Sequence, residues 1–184
     1  MEIRELRWGD FEALLETYWE LYDERARGER VGIGLFDERP SRPDEVEWFA
    51  SLFKRALEGE VFAVVAEVDG RAVGLCDIHP VVRGGRGSDG GHYGELGILI
   101  DRRHRGQGIG RAMMVRALGL ARDRFDLVRL WVYATNERAR GLYRSLGFEV
   151  TGRMPSAVRQ LGEYVDAELM VVDLRRWTPP SANR

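Results

Sequence analysis

The sequence predicts one α/β (α+β) domain, a mixed central sheet of six to seven strands flanked by about four helices. Three observations carry that expectation. Val61 to Val68 and Ala72 to Ile78 are β-rich runs separated by Asp69-Gly70, the strongest short-range hairpin signal. From Glu95 onward the apolar spacing gives strand, helix, strand, helix, an alternation that lays strands parallel with helices packed on the sheet. The 184 residues are 44% apolar and 32% charged, ordinary for a folded chain with a single core.

The elements follow in order. Residues 2 to 7 read as a short edge strand. Gly9 and Asp10 then open an amphipathic helix with Phe11, Leu14, Leu15 and Tyr18 at helical spacing. Residues 23 to 40, polar with glycines, are expected to form a mobile connection. Ser41-Arg42-Pro43-Asp44 starts a second helix, whose apolar stripe runs from Val46 through Phe49, Leu52, Phe53 and Ala56 to Leu57 and stops at Gly59. After the hairpin, residues 80 to 91 hold five glycines and are too long for a tight turn, so a loop able to move over a site is expected. The alternating unit comprises Glu95 to Ile100, Ile109 to Arg122, Val128 to Tyr133 and Glu137 to Leu146. Within it Ile109, Met113, Ala117, Leu120 and Ala121 share a core-facing helix side. Two strands turning near Gly162 complete a domain over 1–174, and residues 175–184, with Pro179-Pro180, read as a frayed tail.

Composition excludes several classes of function. A net charge of −2 and a pI near 6.0 lack the basic excess that phosphate-backbone contacts leave on a nucleic-acid binder. No window approaches the ~18 apolar residues of a membrane span, and the charged stretch Met1 to Asp10 is no secretory signal. Cys76 stands alone, which fits a reducing cytoplasm. His79, His92 and His104 lack metal-ligand spacing, so no metal is expected.

The informative segment is Arg105-Gly106-Gln107-Gly108-Ile109-Gly110, after one strand and at the opening of a helix. Glycines let backbone approach a ligand closely, and the free amides of a first helical turn form an anion site suited to a pyrophosphate. Arginines at 102, 103, 105 and 111 add positive charge around it. A Rossmann fingerprint needs a third glycine where Arg111 and Met113 stand, and a P-loop needs a Gly-Lys-Ser/Thr ending that Lys54, the only lysine, does not supply.

With Arg105, Gly108 and Gly110 matching Gln/Arg-x-x-Gly-x-Gly/Ala, the chain resembles the GNAT superfamily of N-acetyltransferases. A second signature of that family, an Asn after the fifth strand, then Ala, Leu-Tyr and Gly-Phe, is met by Asn136, Ala139, Leu142, Tyr143, Gly147 and Phe148. The resemblance covers most of the chain from Ile3 to Leu174. It implies acetyl-CoA as co-substrate, with Arg105, Gly106, Gln107, Gly108, Ile109, Gly110 and Arg111 around the pyrophosphate and Asn136 and Tyr143 along the pantetheine arm. It also implies a splay between the fourth and fifth strands that exposes backbone groups of Ile98, Leu99 and Ile100, and Gly97 is where a bulge opening that splay is easiest to place.

Direct attack of an amine on a thioester needs a neutral nitrogen, a polarised carbonyl and a proton donor for the departing sulfur. Tyr143 matches the acid, and strand amides near Ile98 and Leu99 the oxyanion donors. Glu95, at the strand head, is the first choice for the base, and His92 the second. A subfamily that acetylates ribosomal-protein N-termini carries a catalytic Glu where this chain has Trp131, a departure from that pattern. The acceptor is expected to be a small-molecule or protein amine, and a homodimer is compatible with the sequence. A non-catalytic acyl-CoA sensor and an enzyme using a longer acyl-CoA are the alternatives.

Overall fold

The computed structural model describes residues 1–81 and 90–180. Its order is β1 (Glu2–Glu5), α1 (Phe11–Ala26), α2 (Arg42–Leu57), β2 (Phe62–Val68), β3 (Arg71–Pro80), β4 (Tyr93–Ile100), α3 (Ile109–Ala121), β5 (Leu127–Tyr133), α4 (Glu137–Ser145), β6 (Glu149–Gln160) and β7 (Glu163–Asp173). The strands form one seven-stranded sheet in the order β1-β2-β3-β4-β5-β7-β6, with β4 and β5 parallel and the other pairs antiparallel.

Local chemistry explains the boundaries. The Ser41 side chain accepts from the Asp44 amide while Asp44 reaches back to the Ser41 N–H, closing a capping box on α2. Asp69 and Gly70 both turn with positive φ, 50° and 77°, as the two-residue hairpin between β2 and β3 requires. Gly108 takes φ 82° at the N-cap of α3, a left-handed conformation that glycine adopts without penalty.

Alternation along the strands sorts side chains into two cores. Cys76, Ile78, Leu96, Val128 and Leu130 face α3 and α4, where Met113, Met114 and Leu118 are fully buried. Burying each such side chain is worth roughly 1.5–3 kcal/mol. Ala63, Val65, Ala72 and Leu75 face α1 and α2 and pack on Leu14, Phe49 and Leu52.

Three features differ from the sequence reading. The connection between α1 and α2 is tied down: Gln160 Nε2 donates to the Val31 carbonyl at 2.9 Å, Arg25 donates to the carbonyls of Phe36 and Asp37, and Arg30 pairs with Glu163. The chain end remains docked as far as Trp177, whose buried indole donates to the Leu146 carbonyl at 2.8 Å. Strand β4 carries no bulge at Gly97, which pairs in register with Asp77. The expected loop over residues 80 to 91 falls mostly on positions 82–89, outside the described residues.

Candidate active site

The splay between β4 and β5 arises because their pairing is short. It stops at Glu95↔Arg129, while β4 runs five residues further, to Ile100, paired on β3 alone. Backbone groups alternate sides along a strand. The Asp101 amide donates to Val73 on the β3 side, and the Ile100 carbonyl accepts from the Arg105 side chain on the open side. By that alternation the Ile98 N–H and C=O and the Ile100 N–H face the gap, while the Leu99 backbone faces β3. Of the two oxyanion donors expected from sequence, the geometry favours Ile98.

The gap opens into a cleft of about 520 Å³. Ile98, Leu99, Ile100, Arg105, Gly106, Gly108, Gly110, Arg111, Asn136 and Tyr143 line it, so most of the residues singled out from sequence meet at one place. Among the described residues the amides of Gly106, Gln107 and Gly108 donate to no protein acceptor, and those of Ile109 to Arg111 are in the first turn of α3. Gly106 and Gly108 have φ of 86° and 82°. Gly110 serves packing: a Cβ there would come within 3.0 Å of Ile100 Cδ1 and 3.4 Å of Leu142 Cδ2.

Several individual expectations change. The Arg105 guanidinium is not free for a phosphate. It makes a bidentate pair with Glu24 at 2.7 and 2.8 Å, Glu24 being 2% exposed, and donates to the Ile100 carbonyl at 3.0 Å. Ile109 points into the core, and Gln107 is exposed with its side chain on the Arg103 carbonyl, so either would meet a ligand through its backbone. Arg111 lines the cleft and donates to Ser145 Oγ.

Asn136 is the N-cap of α4, its side-chain oxygen accepting from the Ala139 amide at 3.2 Å while its amide nitrogen turns toward Gly32. Tyr143 is 8% exposed, and burial pushes its phenol up to about 12. Its hydroxyl makes no hydrogen bond among the described residues, though the residue lines the cleft.

The two base candidates lie away from this lining. Glu95 is three residues ahead of Ile98, about 10 Å along the strand, at the closed end of the splay, and its Oε2 accepts from Arg129 at 2.7 Å. His92 is six residues ahead, about 20 Å away, exposed beside Tyr93 with its carbonyl holding the amides of Asp126 and Leu127. The structure thus separates His92 from the cleft, because β4 carries it to the opposite end of the sheet.

Sequence reasoning missed Leu21, Arg30, Val31, Gly32 and Ile33, which also line the cleft. No local motif marks them. They reach the cleft because the α1–α2 connection is tethered to the β6–β7 turn and because Arg102 pairs with Glu29. Among the described residues there is no group of His, Cys, Asp and Glu able to hold a metal, and no helix long and apolar enough to cross a membrane.

A splayed parallel pair, an amide-rich glycine loop and a cleft tyrosine together define an acyl-CoA-dependent acyltransferase architecture. The model of the acetyltransferase (GNAT) family matches residues 2–148, and the chain belongs to that family. It is 32% identical over 109 residues to the L-amino acid N-acetyltransferase AaaT of Escherichia coli (strain K12), covering 58% of this chain and 65% of that relative. To the L-amino acid N-acyltransferase MnaT of the same organism it is 28% identical over 148 residues, covering 79% and 81%. The fold matches that of yncA from Salmonella typhimurium, solved with its cofactor acetyl-CoA, at a TM-score of 0.78 and 23% identity over 99% of this chain and 98% of that one.

Proposed function

We propose that this chain transfers an acetyl group from acetyl-CoA to a primary amine by direct attack in a ternary complex. The observation that carries the proposal is the convergence, in one cleft, of the open amides at Gly106, Gly108, Gly110 and Arg111, the open backbone of Ile98 and the hydroxyl of Tyr143, unpartnered among the described residues. The loop amides suit a pyrophosphate, since each is a donor without a protein acceptor and the positive end of the α3 dipole lies behind them. The Ile98 N–H is placed to polarise a thioester carbonyl. Tyr143, protonated across the neutral range, donates a hydrogen bond to a departing thiolate, whose ordinary pKa is near ~8.5.

L-amino acids are the first acceptor class to examine, because two relatives are named for acting on them. The test is thiol release from acetyl-CoA in the presence of a panel of amines: L-amino acids, polyamines, aminoglycosides and a peptide with a free N-terminus. Release dependent on one class establishes both activity and acceptor. Tight acetyl-CoA binding with no release for any amine would instead make the chain a sensor. The lone, buried Cys76 suits a reducing compartment, and we place the enzyme in the cytoplasm.

A further inference from the structure

We propose that Arg138, in the first turn of α4, supplies the side-chain charge that grips the cofactor's pyrophosphate, the part the motif assigns to Arg105. This rests on the acetyl-CoA reading above and adds a residue to it. Arg138 lines the cleft together with Gly106, Gly108 and Gly110. Its guanidinium lies over Gly106: a Cβ added there would stand 2.8 Å from Nη2, 3.5 Å from Cζ and 3.7 Å from Nη1. The missing side chain of Gly106 is thus what admits the guanidinium to the edge of the loop, beside an amide that donates to no protein acceptor among the described residues.

Its partners, or their lack, single Arg138 out. Around the loop Arg102 pairs with Glu29, Arg103 with Asp101 and Arg105 with Glu24, while Arg111 donates to Ser145 Oγ. Arg138 is exposed and makes no hydrogen bond or ion pair among the described residues. Local stability does not explain it either. Asn136 caps α4, so Arg138 stands at the second helical position, where a cation works against the helix dipole. The guanidinium then reaches the loop that opens α3, where a second helix turns its own positive end.

A pyrophosphate neutralises what the protein leaves unpaired. Its oxygens accept at once from the loop amides and from the guanidinium, whose planar fork of donors matches two phosphate oxygens side by side. Arg105, held by the buried Glu24, instead fixes the Ile100 carbonyl and the entry to the loop.

The experiment titrates CoA and dephospho-CoA, which keeps the pyrophosphate and lacks the 3′-phosphate, into wild type, Arg138→Gln and Arg138→Lys by calorimetry at low and high salt. Arg138→Gln is expected to weaken both ligands by about 10- to 100-fold, and the loss shrinks at high salt as screening weakens the wild-type contact. Arg138→Lys, which keeps the charge without the fork, should fall between the two. Urea unfolding of Arg138→Gln without ligand should match or exceed wild type, since a cation leaves a helix start. Gly106→Ala puts a Cβ where Nη2 stands, so it should cost less affinity in the Arg138→Gln background than alone. Wild-type affinity of Arg138→Gln for both ligands overturns the assignment and leaves the acetyl-CoA reading in place. A loss confined to CoA moves Arg138 to the 3′-phosphate and overturns it too. A wild type that binds neither ligand removes both readings. An Arg138→Gln protein that does not fold is replaced by Arg138→Met, read against the same criteria.

Discussion

One part of the cleft lining is built from backbone, and another from a segment that side chains of distant residues hold in place. Along residues 106 to 111 the amides are left open, by glycines with positive φ and by the start of a helix. Elsewhere in the lining, Arg30 and Val31 are held by side chains of distant residues, Arg30 by Glu163 and the Val31 carbonyl by Gln160. A surface of amides tolerates change in most side chains and recognises a fixed ligand. A surface of paired side chains can be altered residue by residue, so acceptor preference can vary in one family without disturbing the cofactor grip.

Arg105 tests this division most sharply, because the motif assigns it to the phosphate while the structure gives it to Glu24. Glu24 is almost fully buried, and removing its partner leaves an uncompensated carboxylate. Arg105→Ala should therefore cost about 3–5 kcal/mol of stability, measured by urea unfolding, with Glu24→Gln costing less because it removes the charge itself. A variant of wild-type stability that binds acetyl-CoA weakly would return Arg105 to the phosphate.

Gly108→Val should have the next largest effect. A Cβ at this position meets nothing within 4 Å, so no packing is lost, but φ 82° is strained for a β-branched residue at roughly 1–3 kcal/mol. The loop is expected to relax by turning its amides away, weakening acetyl-CoA binding on the order of 100-fold by calorimetry. Gly110→Val cannot make the same point, since its side chain would collide with Ile100 and Leu142. Full affinity in Gly108→Val would show that the amides of this turn do not hold the ligand.

How much of this could be read in advance follows the same division. The glycine loop and the Asn136-to-Phe148 signature are contiguous, and local spacing placed them on the elements where they stand. The order of elements, the hairpin and the parallel pair were legible for the same reason, since period and turn chemistry are local. The part of the lining from Leu21 and residues 30–33 was not. Val31 and Gly32 look like a polar connector because what fixes them, the carbonyl bond from Gln160, joins residues 129 apart. Gly97 was read as the place for a bulge, although it pairs in register with Asp77 and its missing Cβ leaves room for that side chain.

Tyr143→Phe should have the smallest effect on structure and a selective one on rate. The hydroxyl has no hydrogen-bond partner among the described residues, so its loss leaves no buried group unsatisfied and stability should change little. The ring keeps its contact with Phe148, centroids 6.1 Å apart, and continues to fill the core beneath α4. On the proposed mechanism, what disappears is a donor to the charge that gathers on sulfur, an interaction stronger in the transition state than in the bound thioester. We expect kcat to fall roughly 10- to 100-fold, with acetyl-CoA affinity within about twofold of wild type. The pH dependence separates this role from that of a base. Burial raises the phenol to about 12, so it stays protonated through the neutral and mildly alkaline range, and its removal should lower the rate by a constant factor there. In stability the sign is also set: a folded-state value above the ordinary ~10 favours the folded protein fully below pH 10, and that contribution is lost as the pH rises through about 12. Tyr143→Phe should flatten that alkaline decline. A variant that keeps the wild-type rate would leave Tyr143 as packing alone, and one whose rate loss follows a titration below pH 10 would assign the proton donor to another group.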